Sequence, residues 1–275
     1  MRELERETSR RDGFGPGGDV PALAVIGLGR AGGSIARAAR AAGLEIHAAG
    51  REGALEACGR SEAALLCVPD GEIGATAAAV VPAIPQLRFV GHVSGALGLD
   101  VLRPATAAGA EAFSIHPLQT LPTPKSDLAG SACATAGSSG AALAVAESVA
   151  AALGMRPFAV ADEDRAAYHA AAAIASNFLV ALEESASELL ARIGLERGRE
   201  LLAPLVLSTA SSWAERGAGA LTGPIARGDE ATVERHRAAL SEAVPGLLPL
   251  YEELAARARA VAAREAGAAA GVATT

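Results

Sequence analysis

The first concentrated apolar run is Leu23-Ala24-Val25-Ile26, the short continuous signature of a buried parallel strand, and an Ala-rich stretch with helical spacing follows it, closed by Gly43. Leu44 to Ala49 reads as a returning strand. The alternation then repeats: a short helix around Gly53 to Cys58, a strand Ala63 to Val68 ending in Pro69-Asp70, and a helix Ile73 to Val81. A strand from Arg88 stops at Ser94-Gly95-Ala96, a short helix lies near Val101, and a strand Glu111 to Ile115 stops at His116-Pro117-Leu118-Gln119-Thr120. Ser131 to Thr135, a helix Ala141 to Leu153 and Pro157 to Val160 complete a sheet whose strands end in polar residues. From Asp162 the period is helical throughout. Arg165 to Ile193 is expected as one long helix behind an Asp164 cap, then Glu200 to Arg216, a Gly/Pro-bearing loop Leu221 to Gly228, Glu230 to Ala243 capped by Asp229, and Pro249 to Arg264.

Between the first strand and helix stands Gly27-Leu28-Gly29-Arg30-Ala31-Gly32. Gly27 permits the tight turn, Gly29 lets a pyrophosphate approach the backbone, and Gly32 lets the helix sit close to the sheet with its first amides facing the phosphates. The expected fold class is therefore α/β, an N-terminal Rossmann-type doubly wound sheet followed by an all-α C-terminal domain. Residues 1–19 are expected as a disordered arm, 20–161 as the dinucleotide domain, 162–266 as a helical substrate and dimerisation domain, and 267–275 as a frayed tail. At the end of the second strand, where an NAD enzyme places Asp or Glu for the ribose 2′-hydroxyl, this chain has Gly50-Arg51. A guanidinium pairs with a 2′-phosphate and stacks on adenine, so the expected cofactor is NADP(H). Leu28, Arg30, Ala31, Val68, Pro69 and Ser94 join Gly27, Gly29, Gly32 and Arg51 as expected cofactor contacts.

Composition removes other classes. The chain has 275 residues, 51% hydrophobic content and a formal net charge of −7, with no interleaving of cations and aromatics, so no nucleic-acid partner is expected. Cys58, Cys67 and Cys133 are odd in number and lack CxxC spacing; no metal site or disulfide framework is expected, and a reducing cytoplasm is. Ala-rich stretches are interrupted by Arg, Glu or Gly before a bilayer is spanned, so no membrane association is expected.

Chemistry gathers on the expected long helix. His169, Ser176 and Asn177 are seven and eight residues apart, close to two turns, and on an unbroken helix share one face of a pocket wall. Asn177 is the chain's only asparagine and is expected to be buried there. Apolar Ile174, Phe178 and Leu182 on the same helix need cover on more than one side, so a homodimer is expected.

The chain resembles the 6-phosphogluconate-dehydrogenase-like superfamily, which includes pyrroline-5-carboxylate reductase, ketopantoate reductase and prephenate dehydrogenase. It is identified as a member of a branch of bacterial Rossmann-like oxidoreductases whose C-terminal helical domain has no assigned function. Roughly residues 21 to 245 carry the resemblance, through the glycine loop, Val68-Pro69-Asp70, His92-Val93-Ser94-Gly95-Ala96, Ser114 to Thr120, Ala175-Ser176-Asn177-Phe178 and Leu221 to Asp229. The resemblance implies a nicotinamide lying over the strand ends and a helical domain closing the site of a small-molecule substrate. It implies NADP(H)-dependent reduction of a small carboxylated carbonyl compound such as ketopantoate; the alternatives are an imine reductase of the pyrroline-5-carboxylate type and a non-catalytic NADPH-binding module. The lysine that several members use as proton donor on this helix is missing, and the chain's only lysine is Lys125 in a loop. His169 is the expected substitute, with Asn177 donating to the same oxygen and His116 as second candidate acid. Ser94, Gly95, Ser176 and Arg227 are the expected substrate contacts.

Overall fold

The computed structural model describes residues 20–272, so the arm expected at 1–19 and the end of the expected tail lie outside the described residues. Two compact units divide at Ala173/Ile174. The first is built on seven strands, β1 (Leu23–Ile26), β2 (Ile46–Ala49), β3 (Ala63–Leu66), β4 (Phe89–His92), β5 (Glu111–Leu118), β6 (Ala132–Gly137) and β7 (Arg156–Ala159). Their order in the sheet is β2-β1-β3-β4-β5-β6-β7, parallel throughout except for the β5/β6 pair. Strand order reverses between β1 and β3, which opens a crevice at their carboxyl ends.

Alternation along the strands fills two cores. Leu23, Val25, Leu65, Phe113 and Ile115 point to one face, where α1 (Arg30–Ala41) and a later helix, Gly140–Ala152, pack with Ile35, Val145 and Val149. Ala24, Ile26, Leu66, Val90 and Ala112 point to the other, covered by α2 (Ala54–Gly59), α3 (Ile73–Val80) and α4 (Arg103–Ala107); the Gly140–Ala152 helix is α5. This is the doubly wound α/β sheet expected. β5 departs from expectation by running on through His116-Pro117-Leu118, because six antiparallel pairs with β6, from Phe113↔Gly137 to Leu118↔Ala132, hold the strand straight past Ile115.

The expected long helix is two. α6 (Arg165–Ala175) ends before Ser176, whose φ of −122° and ψ of −71° leave the helical region, and α7 (Asn177–Arg192) starts again with the Ser176 carbonyl accepting from the Val180 amide. Serine favours such an N-cap position over a helix interior. The unit from Ile174 onward holds α7, α8 (Gly198–Arg216), α9 (Pro224–Arg227) inside the expected loop, α10 (Glu230–Ala243) and α11 (Leu248–Val272). Asp229 caps α10 by accepting from the Thr232 amide, as the sequence predicts. Arg237 to Glu252 and Arg259 to Glu230 pair α10 with α11. Helix α11 continues to Val272, past Gly267, where a frayed tail was expected. No described helix is long and apolar enough to cross a membrane.

Candidate functional site

The glycine turn after β1 is packed so closely that larger residues have no room. Gly27 has a φ of +97°, and a Cβ there would lie 2.5 Å from the Cys67 carbonyl oxygen; a Cβ on Gly32 would lie 1.8 Å from the Gly27 carbonyl oxygen. Above Gly29 the space is open, with nothing within 4 Å of the place a Cβ would take. Helix α1 has no side-chain cap at Gly29 and no acidic residue in its first turn, which leaves its leading amides to an anion. Leu28, Arg30 and Ala31 complete the turn, with Leu28 and Arg30 exposed.

A cleft of ≈ 570 Å³ opens beside this turn, lined by Ile26, Gly27, Arg51, Val68, Glu72 and Thr76 among others. It lies at the β1/β3 reversal, the place where open α/β sheets of this kind form their ligand crevice. Arg51 is 89% exposed at its rim and its Nη2 donates to Glu72 Oε2 at 3.1 Å, a partner the sequence did not suggest. Pro69 follows Val68 and leads into a 3₁₀ turn, Asp70–Glu72.

Two strands along, the ends of β4 and β5 and the first turns of α6 build a second centre. Tyr168 Oη lies 2.7 Å from His116 Nδ1, and the His116 ring lies edge to face with both Tyr168 and His169, at centroid distances of 5.5 and 5.9 Å. Gly95 sits where the two imidazoles converge: a Cβ would be 2.7 Å from His116 Nε2 and 2.8 Å from His169 Cδ2. Burial first, then the neighbouring His169 and Arg165, push His116 down to about 4, so it is neutral at pH 7. Burial pushes the Tyr168 phenol up to about 12, so its proton stays on. Tyr168 Oη has no other partner among the described residues, and the tautomer of His116 decides which of the two groups donates in this hydrogen bond.

Ser94 does not present a free hydroxyl, contrary to the expectation of a substrate or cofactor contact. Its Oγ donates to Asp70 Oδ2 at 2.8 Å and accepts from the Ala96 and Leu97 amides, and its own amide donates to His92 Nδ1. All its polar capacity is used to shape the loop that carries Gly95. His92, held neutral by burial at about 4, closes the same loop through Nε2 to the Gly98 carbonyl. Ser176, Asn177 and Arg227 belong to the helical unit, where Ser176 is half-buried and Arg227 exposed. Asn177 is exposed as well, not the buried amide expected, and the break at Ser176 removes the continuous helix on which it was to share a face with His169.

Sequence reasoning missed Asp70, Glu72, Tyr168 and Arg165. Tyr168 was legible as the neighbour of His169, but its partner is 52 residues away.

Two family models match in tandem: a Rossmann-like domain over residues 52–117 and DUF2520, a domain of unknown function, over 131–258. No curated protein matches the sequence significantly. Among solved structures, this chain is similar to a Bacteroides fragilis protein provisionally assigned as an NADP oxidoreductase, at 21% identity and a TM-score of 0.73, covering 88% of this chain and 98% of that one. A Thermotoga maritima protein is similar at 24% identity and a TM-score of 0.67, covering 88% and 99%. A Plasmodium falciparum pyrroline carboxylate reductase with NADP bound is similar at 11% identity and a TM-score of 0.60, covering 89% and 100%. Likeness at these identities shows the fold.

Proposed function

We propose that this protein is an NADP(H)-dependent oxidoreductase that reduces a small carboxylated carbonyl compound, with a 2-keto acid of the ketopantoate kind as its substrate class. The observation that carries the reading is the pairing of two features at the carboxyl ends of one sheet: the glycine turn after β1 with its open cleft, and the histidine pair beyond β4 and β5. The turn residues fit the cofactor. Amides following Gly29 would hold the diphosphate, Arg51 would hold the 2′-phosphate, and Val68 and Pro69 would line the path toward the strand ends. Solved relatives of this fold include imine reductases and a pyrroline carboxylate reductase crystallised with NADP, which supports the same cofactor.

When bound, NADP(H) supplies the hydride. The chain's own residues then handle the oxygen and the proton. His116, neutral and carrying its proton on Nε2, polarises the carbonyl oxygen as a hydrogen-bond donor rather than as an acid. His169, exposed beside it, delivers the proton. Asp70 and Ser94 hold the loop that packs Gly95 against both rings. Reduction of an imine is the second reading, and neutral His116 favours it: a protonated imine brings its own proton, and the centre then needs no imidazolium.

The protein is further proposed to act as a cytoplasmic homodimer. Phe178, Leu207 and Trp213 are 62%, 71% and 66% exposed on α7 and α8, and an apolar groove of ≈ 240 Å³ lies between these helices at Ser187, Leu202, Ala203 and Val206. The three cysteines are unpaired. Loss of NADPH absorbance on a panel of 2-keto acids and cyclic imines tests the activity: turnover on keto acids supports the first reading, turnover on imines alone the second, and NADPH binding with no turnover on either contradicts both.

A further inference from the structure

Arg165 is the bulkiest of the fully buried side chains, 1% exposed at the first position of α6. Its Nε donates to Asp162 Oδ1 at 3.0 Å and its Nη2 to Ser114 Oγ at 2.6 Å, while Nη1 finds no acceptor among the described residues. Asp162 in turn accepts from the Leu99 amide, and Gly98 beside it has no room for a Cβ, which would come within 2.9 Å of the carboxylate. A buried cation with an unpaired donor is an expensive way to stabilise a fold.

Spacing gives it another use. Ser114 and His116 are two apart on β5 and so project to the same face of the strand. Arg165 lies three residues before Tyr168 and four before His169, so all three share one side of α6. Helix and strand thus meet at two consecutive points, Arg165 on Ser114 and Tyr168 on His116. The geometry points to Arg165 as a positioning residue: by fixing the register of α6 on β5 it holds Tyr168 and His169 against His116 and so sets which nitrogen of His116 carries its proton.

The charged and titratable groups facing His116 are His169, Arg165 and Tyr168 from α6, Asp70 from the turn after β3, His92 from β4 and Cys133 from β6. Of these, Arg165 opposes protonation of His116 by its charge, in the same direction as burial. Register and charge therefore act together.

The test is an NMR pH titration of the histidine ring nitrogens in the full chain, wild type against Arg165→Met, Arg165→Lys and Ser114→Ala. It needs neither substrate nor cofactor, so its failure is separate from failure of the proposed oxidoreductase activity. In the wild type, His116 is expected to titrate near 4 and to carry its proton on Nε2 when neutral. Arg165→Met is expected to bring the His116 midpoint toward the ordinary value of about 6.5 and to mix its two tautomers, with Arg165→Lys restoring part of the depression through its charge. Ser114→Ala, which deletes only the hydroxyl, moves it in the same direction and stands in if Arg165→Met does not fold. A His116 midpoint and tautomer unchanged in the folded Arg165→Met chain, or in Ser114→Ala where that chain does not fold, would make Arg165 a packing residue only and overturn the inference.

Discussion

Tyr168 Oη and His116 Nδ1 are 2.7 Å apart, and this one hydrogen bond joins the first helix after the sheet to the end of β5. It leaves Nε2 as the His116 nitrogen not engaged with Tyr168. Tyr168→Phe keeps the ring and its edge contact with Phe158 but removes the donor. Turnover is expected to drop by about tenfold, the worth of one hydrogen bond, with NADPH affinity unchanged. Full turnover in the variant, measured as initial rate against pH, would show that the tautomer is set elsewhere.

In the proposed reduction His169 passes the proton, its ring being exposed and lying beside His116. His169→Ala is expected to lower keto-acid turnover by roughly 10²–10⁴-fold and to erase the basic limb of the pH profile. If imines are the substrates, the same variant loses far less. Equal rates for wild type and variant on a keto acid would move the acid away from α6.

Acid should weaken the fold in a defined window. Burial holds both His92 and His116 down to about 4 against an ordinary 6.5. Between those values the unfolded chain takes up protons that the native chain refuses, so the contribution of these two histidines to stability is complete above pH 6.5 and is lost as pH falls toward 4. Urea titrations at intervals from pH 7 to pH 4 should show this slope, and His116→Gln should flatten it. An identical slope in the variant would mean that His116 titrates normally.

The exposed apolar side chains of α7 and α8 lead to an expected dimer. Light scattering at micromolar concentration should report twice the chain mass, and Phe178→Glu combined with Leu207→Glu should shift it to the monomer. A wild type that stays monomeric at every concentration would rule the dimer out.

Local signals carried the elements and distant ones did not. Leu23–Ile26 and the Asp229 cap fall where the sequence puts them, because a four-residue apolar run and a cap three residues from its amide are local. The glycine turn was legible for the same reason. What escaped were relations made by the fold: Ser94 is spent on Asp70 24 residues away, and Arg165 is buried by Ser114 51 residues away, whereas a helix-opening arginine ordinarily reads as solvated. The break at Ser176 was hidden because a lone serine amid alanines leaves the helical period intact. β5 runs past His116 because β6 pairs with it from beyond a loop, which no pattern within β5 records.

The proposed function rests on a dinucleotide held at the glycine turn with its 2′-phosphate on Arg51, and a fluorescence titration of the wild type with NADPH and with NADH puts this to the test. Arg51 is bound to Glu72 at the rim of the cleft, so a 2′-phosphate must compete for it. One NADPH per chain is expected, bound more tightly than NADH; Arg51→Ala should cost on the order of tenfold for NADPH alone, and Glu72→Gln should tighten NADPH by a few-fold. Equal affinity for the two cofactors would contradict the role of Arg51, and no saturable binding of either would contradict the proposed function as a whole.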